Sequence, residues 1–189
     1  MNVWAVYSHE PHTSTLSFLA YGVGTGMVWS LEEYVFHRYA LHEAFLYRLY
    51  HGIHHTRWVQ LSTLFKPQWL ITAAMVSQYH VLYWMFGLAV VRQLFVWLPL
   101  YYVLFEWLHY CSHYSGPTWL APIKEYHRAH HMDETANYGI TTPLWDWACG
   151  TLHSDCVFSR KDVWVGLVPL LWFYSCSTSR QNEKSKPLR

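Results

Sequence analysis

Charged residues are scarce in this chain: Asp, Glu, Lys and Arg make up 13% of its 189 residues, about half the share that is usual for a soluble domain. The net charge at pH 7 is only +1, which argues against a protein that binds nucleic acid. Apolar residues, in contrast, account for 52% of the chain and aromatic residues for 19%. This composition predicts a membrane protein, although a mean hydropathy of +0.00 requires a sizeable polar part as well.

Three familiar sequence signals are also missing. The cysteines Cys111, Cys149, Cys156 and Cys176 show no CxxC spacing, which argues against a zinc ribbon or a redox motif and predicts free, buried thiols. No HExxH motif is present, so zinc-protease chemistry is disfavoured. The first residues lack the basic start and the cleavage site of a secretory signal peptide. We therefore expect the mature segments to direct membrane insertion.

Three long apolar stretches are candidates for crossing a bilayer, which takes roughly 20 mostly apolar residues in a helix. They cover residues 14–31, 69–91 and 94–111. Because only Arg92 and Gln93 separate the last two, we expect a tight helical hairpin there. The first stretch contains Gly22, Gly24 and Gly26, and small residues in a membrane helix usually allow close packing.

The positive charges indicate how this arrangement is oriented, because Lys and Arg concentrate on the cytoplasmic side of a membrane. If residues 32–68 and everything after Tyr114 lie on one side, Arg92 is the only one of the 13 Lys and Arg on the other. The sequence therefore predicts an all-α membrane protein with about three transmembrane helices, its amino terminus in the lumen and its polar cap in the cytosol.

The carboxyl-terminal part is predicted to differ from these spans. Residues 163–176 are apolar but too short for a full crossing, which predicts an in-plane or re-entrant helix. Residues 177–189 predict a polar, disordered tail. Residues 1–176 would then form a single membrane-embedded domain.

Histidine is unusually frequent, with 14 in the chain, and ten of the histidines form four groups. The groups are His37 and His42; His51, His54 and His55; His109 and His113; and His127, His130 and His131. Positions i, i+3 and i+4 of a helix point to one side, so HGIHH and HRAHH each present three imidazoles. The step from His37 to His42 corresponds to about 140° on an α-helix, which suits neighbouring metals or a bent helix end. All four groups fall on the predicted cytosolic face.

The number and type of these ligands indicate the metal. Four-coordinate zinc would use three or four histidines, whereas ten suggest two ions with about five imidazoles each and an open position for a reactant. Imidazole suits iron, and two neighbouring irons can share the electrons that split dioxygen. We therefore expect two iron ions, which zinc can replace in purified protein. Glu33 lies four residues before His37, and Glu106 lies three residues before His109. Each carboxylate is expected to accept a hydrogen bond from the ring N–H of that histidine or to act as an interfacial cap.

The boxes HRYALH, HGIHH, HYCSH and HRAHH, in that order, make residues 29–152 resemble the fatty acid hydroxylase and sterol desaturase superfamily of membrane di-metal enzymes. WSLEEYVFHRYALH, FEWLHYCSHY and NYGITTPLWDWACGTL look most like its fatty acid 2-hydroxylase branch. The resemblance implies a membrane anchor with a cytosolic cap, metal ligands at the ten histidines, and O2- and electron-dependent hydroxylation of a lipid chain in fatty acid or sphingolipid metabolism. We expect this to take place at the endoplasmic reticulum.

The sequence departs from the superfamily in two respects and leaves alternatives open. Only one membrane segment precedes the first box, where relatives commonly have a pair, and a cytochrome b5 module is absent, so we expect a separate b5-type electron donor. Asn137, Tyr138, Gly139 and Thr141 follow the last box closely enough to contact a lipid headgroup. The alternatives are a sterol, sphingoid-base or carotenoid hydroxylase or desaturase, and a membrane metal or heme protein that only carries electrons.

Overall fold

A computed structural model describes residues 14–43, 50–58, 60–64, 67–114, 116–154 and 156. All regular structure within these residues is helical, which confirms the all-α class there. The elements are α1 (Thr15–Val35), a π-helical segment (Phe36–Glu43), α2 (Gly52–Thr56), a 3-10 turn (Leu61–Thr63), α3 (Gln68–His113), a second 3-10 turn (Thr118–Leu120), α4 (Ala121–Met132) and α5 (Leu144–Cys149). The helix expected at 163–176 and the tail at 177–189 lie outside the described residues.

Helix α1 begins at a side-chain cap, where the Ser14 hydroxyl accepts a hydrogen bond from the backbone N–H of Ser17 at 3.1 Å. Two of its glycines face α3 closely: a Cβ on Gly22 would lie 2.8 Å from the Trp97 ring, and one on Gly26 would lie 2.5 Å from the Tyr101 hydroxyl. The predicted close packing is therefore confirmed at these two positions. Gly24 instead faces open space.

Helix α3 is a hairpin rather than one straight rod. Its 46 residues contain a non-helical position at Gly87, with φ 77° and ψ 172°, which divides it into residues 68–86 and 88–113. The rings of Tyr79 and Phe95 are 5.1 Å apart, whereas a continuous helix would separate them by about 24 Å. The turn predicted at Arg92 and Gln93 is therefore wrong, because the reversal takes place at Gly87, whose backbone angles are essentially restricted to glycine.

Replacing Gly87 with alanine is expected to destabilise the hairpin by about 1–3 kcal/mol, because a residue with a Cβ is strained at this positive φ. A Cβ at Gly87 would meet no atom within 4 Å, so crowding does not add to the loss. The measurement is the melting temperature in detergent. Gly24→Ala is the matched control, because its Cβ also meets nothing and its backbone is helical; equal melting temperatures for the two variants would contradict the assignment of the turn.

The surface of α3 is strongly apolar. Within the described residues, the stretch Trp69–His113 is long and apolar enough to cross a membrane, with a mean hydropathy of 1.7. Large side chains point outward along it, such as Trp84, which is 87% exposed, and Val103, which is 62% exposed. An apolar exterior of this size needs a partner other than water.

The second half of α3 runs parallel to α1. Gly22 lies against Trp97, and further along α1 the ring of Trp29 meets those of Tyr102 and Phe105 at 6.3 and 6.2 Å. Both helices therefore end at the same end of the molecule, where α4 and the loop after it pack on α3. The core there consists of Phe105, Leu108, Cys111, Leu120, Ile123 and Ile140.

The described cysteines are all free thiols, as predicted. Their predicted burial is confirmed for Cys111 but is wrong for Cys149, which is exposed, while Cys156 is partly buried. Cys176 lies outside the described residues.

Candidate metal centre

The first histidine pair lies on the π-helical segment rather than on an α-helix. Backbone hydrogen bonds in a π-helix link residues five apart, so side chains five apart lie nearly above one another. The Nε2 atoms of His37 and His42 are accordingly 3.3 Å apart. The separation of about 140° expected on an α-helix therefore does not apply to His37 and His42. Both rings belong to one cluster.

Five imidazoles form a first group, cluster 1, whose members are His37, His42, His51, His55 and His130. Their Nε2 atoms converge: His51 lies 2.9 Å from His37, 3.0 Å from His42 and 3.0 Å from His55. The Nε2 atom of His130 lies 3.2 Å from that of His42. Cluster 1 thus unites histidines from the π-helical segment, α2 with its amino-terminal cap, and α4.

The other five imidazoles form cluster 2: His54, His109, His113, His127 and His131. The first four have ligand atoms within 4.8 Å of one another, and the Nε2 atom of His131 lies 3.0 Å from that of His127. The Nε2 atom of His113 lies 2.8 Å from that of His127 and 3.1 Å from that of His109. The structure therefore brings together all ten histidines that the sequence singled out.

Each histidine triplet is shared between the two clusters. In HGIHH, His51 and His55 belong to cluster 1 and His54 to cluster 2, whereas in HRAHH only His130 belongs to cluster 1. Neighbouring positions on a helix point about 100° apart, so α2 and α4 each lie between the clusters. The rings of His55 and His131 are only 4.3 Å apart, which places the clusters side by side.

The spacing of the nitrogen atoms fits metal coordination. A ring nitrogen lies about 2.1 Å from a bound transition metal, so two ligands are about 3.0 Å apart at a right angle and about 3.4 Å apart at the tetrahedral angle. The observed Nε2 pairs span 2.8 to 3.3 Å. These distances fit ligands at right angles better than a tetrahedral site, and either cluster could hold a metal ion.

Burial favours the neutral form of several of these imidazoles. Desolvation lowers the pKa of His130 to about 4. Desolvation with repulsion from His130 lowers the pKa of His42 to about 3. The pKa of His51, His127 and His131 is lowered as well, first by burial and then by repulsion from neighbouring rings. A neutral ring has a lone pair free for a metal, whereas a protonated ring does not.

Two backbone carbonyls orient cluster 1. His37 donates its Nδ1–H to the carbonyl of Tyr138 at 2.5 Å, and His130 donates its Nδ1–H to the carbonyl of Ala136 at 2.7 Å. Such bonds fix the tautomer and leave Nε2 as the ligand atom. The sequence carries no signal for either contact, because every residue has a backbone carbonyl.

The carboxylates expected beside the histidines have other surroundings. Glu33 accepts hydrogen bonds from the backbone N–H groups of Ile140 and Thr141 and from the Thr141 hydroxyl, so it anchors a loop and does not bind His37. Both carboxylate oxygens of Glu106 are buried and have no hydrogen-bond partner among the described residues. The expected contact of Glu106 with His109 is therefore not formed there.

A carboxylate that the sequence analysis did not select faces cluster 1. The two oxygens of Glu134 lie 3.5 Å from Nδ1 of His42 and 3.5 Å from Nδ1 of His55. One side chain thus faces the outer nitrogens of two cluster 1 rings, the position from which a carboxylate tunes ligand basicity. Its place three residues after the HRAHH box was the available signal.

The loop after α4 supports the histidines of cluster 1. The residues expected to contact a headgroup are buried: Asn137 and Thr141 are 0% exposed and Tyr138 is 5% exposed. The Asp146 carboxylate accepts four hydrogen bonds, from the hydroxyls of Tyr126 and Thr151 and the backbone N–H groups of Tyr138 and Gly139. This loop therefore holds the carbonyls that orient His37 and His130 and is not available to a headgroup.

An apolar cavity of about 610 Å³ leads to both clusters. His37 and His51 of cluster 1 and His109 of cluster 2 contribute to its wall. The remaining wall is largely apolar and includes Trp29, Phe36, Leu70, Met75 and Phe105. A long hydrocarbon chain is the kind of ligand that such a wall accommodates beside a metal centre.

Comparison with known proteins supports this picture. Residues 22–151 match the family model described as fatty acid hydroxylase. The chain is 30% identical to a fatty acid 2-hydroxylase of Rattus norvegicus over 67% of this chain and 37% of the relative. It is 30% identical to a fatty acid 2-hydroxylase of Homo sapiens over 68% of this chain and 38% of the relative.

The chain covers a larger share of a plant relative. The chain is 28% identical to a dihydroceramide fatty acyl 2-hydroxylase of Arabidopsis thaliana over 76% of this chain and 63% of the relative. The chain thus spans between 37% and 63% of the length of these three relatives. No solved structure matches the chain.

Proposed function

We propose, since this chain belongs to the fatty acid hydroxylase family, that it hydroxylates carbon 2 of the acyl chain of a fatty acid or ceramide-type membrane lipid. The observation that carries the proposal is the apolar cavity whose wall includes histidines of both clusters. The names of the relatives, which are fatty acid and dihydroceramide fatty acyl 2-hydroxylases, support this substrate class and this carbon.

The ten histidines would hold two iron ions, one in each cluster. With O2 and two electrons from a separate cytochrome b5-type donor, the irons would supply the oxidising chemistry, in which one oxygen atom enters the C–H bond and the other leaves as water. The chain's own residues bind and orient. The carbonyls of Tyr138 and Ala136 hold the rings of His37 and His130, and the burial that lowers the histidine pKa keeps the ligand nitrogens unprotonated.

The cavity wall gives the substrate its orientation. Apolar side chains of α1 and α3 exclude water from the acyl chain, while His37, His51 and His109 mark the end at which the reacting carbon would lie. The substrate would come from a bilayer that surrounds the apolar exterior of α3. We propose three crossings, by α1 and by the two halves of α3, with both clusters facing the cytosol from the membrane of the endoplasmic reticulum.

The test is lipid analysis of cells that express the full chain or its His51→Ala variant, together with metal analysis of the purified proteins. We expect 2-hydroxylated acyl chains to accumulate at least about tenfold over the variant and to require O2, because His51 would be one of the ligands in cluster 1 and its loss would weaken metal binding. We also expect about two metal ions per chain. Hydroxylated sterols or sphingoid bases with unchanged acyl chains, or a Soret band from bound heme, would contradict the proposal.

A further inference from the structure

A second apolar cavity, of about 600 Å³, lies next to the one at the metal centre. Its wall includes Tyr21, Val28, Leu82, Phe86, Val90 and Leu94, from α1 and both sides of the turn at Gly87. The two cavities share two wall residues, Glu32 and Gln78. The Gln78 amide donates a hydrogen bond to the Glu32 carboxylate at 2.8 Å, and we call this bonded pair the partition.

The partition lies across the direction in which an acyl chain would extend. The first cavity reaches from the histidines to the level of Glu32 and Gln78. The second continues from that level to Ser17 on α1 and Phe86 on α3, a length of about 22 Å along α1. Two polar side chains bonded to each other therefore interrupt a path whose walls are otherwise largely apolar.

We propose that the partition sets the length of the acyl chain that this protein hydroxylates. This inference rests on the proposed function. Glu32 lies only about 8 Å from His37 along the helix. With its reacting carbon at the histidines, a short chain such as octanoyl therefore ends before the partition, whereas a long chain such as palmitoyl must open the partition to place its tail in the second cavity. Opening it breaks the hydrogen bond between Gln78 and Glu32 and leaves both polar groups against hydrocarbon, which disfavours the longer chain by about tenfold or more.

The decisive variant is Gln78→Ala, which removes one side of the partition and joins the cavities. We expect the ratio of palmitoyl to octanoyl 2-hydroxylation, measured in one mixture of both lipids, to rise about tenfold. Ser77→Ala is the matched control, since Ser77 lies on the same helix and lines neither cavity; its ratio should equal that of the unchanged chain. Adding Leu94→Trp to Gln78→Ala fills the second cavity and should reverse the gain. An unchanged ratio in Gln78→Ala would overturn the proposal.

A labelling experiment tests the same point without turnover. A palmitoyl lipid with a photoreactive group at its last carbon should label residues 82–98 in the Gln78→Ala variant, and an octanoyl probe should label residues 70–78. Palmitoyl labelling confined to residues 70–78 would overturn the proposal that the tail passes the partition. If the unchanged chain makes no 2-hydroxylated product from either lipid, the proposed function fails, whereas the label positions still decide where each tail lies.

Discussion

Replacing His54 or His130 with alanine is expected to abolish lipid hydroxylation and to lower the metal content below two ions per chain. His130 is 0% exposed and His54 is 3% exposed, so no water-filled space offers a ready substitute ligand. His130 belongs to cluster 1 and His54 to cluster 2, so each variant would remove one of five imidazoles from a different one of the two proposed ions. Loss of a residue that merely orients a ligand costs about 10–100-fold in metal affinity, and loss of a ligand should cost more.

The measurement pairs metal analysis with 2-hydroxylated lipid production at matched protein levels. His80→Ala is the control, because His80 is exposed, its hydrogen bond within the described part of the chain goes to the Val76 carbonyl of the same helix, and it lines neither cavity. We expect that variant to keep both its metal and its activity. Normal turnover in His54→Ala or His130→Ala would remove the basis for assigning the ten histidines as ligands.

The histidine spacing predicted more of this centre than any other feature of the sequence. Helical periodicity indicated which imidazoles point the same way, and the structure brings those ten rings together. Periodicity could not predict how the ten rings divide between the two clusters. It describes one helix at a time, whereas the division depends on where α2 and α4 lie relative to α3. Their role as metal ligands stays a prediction that the variants above test.

The His37 and His42 pair shows a second limit. A step of five residues is poorly aligned on an α-helix, and the sequence does not reveal that the local backbone is π-helical. The backbone changes there so that both Nε2 atoms reach cluster 1, which fits the frequent occurrence of π-helical turns at functional sites.

The hairpin was predicted from its apolar runs, but the turn was placed at the polar residues Arg92 and Gln93. Polar residues often mark turns, yet the deciding property here is backbone geometry, which selects Gly87. Arg92 and Gln93 continue the second half of α3. A glycine flanked by apolar residues was therefore a better signal for this turn than the break in hydropathy.

Replacing Asp146 with alanine is expected to have the other large effect, although none of the four residues that donate hydrogen bonds to its carboxylate is a histidine. It is 0% exposed and accepts hydrogen bonds from Tyr126, Thr151, Tyr138 and Gly139 at 2.5 to 2.8 Å. Each buried donor left without an acceptor costs about 1–3 kcal/mol. Four such donors cost several kcal/mol, which is comparable with the total stability of a typical domain.

The expected result for Asp146→Ala is a large fall in the melting temperature in detergent, together with loss of metal from cluster 1. The metal is affected because Asp146 accepts a hydrogen bond from the N–H of Tyr138, and the carbonyl of the same residue orients His37. Thr151→Val removes one of the four donors and should cost only about 1 kcal/mol. Asp133→Asn should change little, since the Asp133 side chain is 42% exposed and accepts its hydrogen bonds from Thr135, which does not bind Asp146, and an Asn side-chain oxygen can still accept them.

A lone acid within the apolar run LWDWAC is the signal that could have identified Asp146 from sequence, because a buried carboxylate needs hydrogen-bond partners. If Asp146→Ala keeps the original melting temperature and both metal ions, the loop does not hold the histidines in place. A lower melting temperature with full metal content would separate the two roles and assign Asp146 to stability alone. If both the melting temperature and the metal content fall, the conformation of the loop is coupled to metal binding. The coupling then runs through a single backbone carbonyl, that of Tyr138.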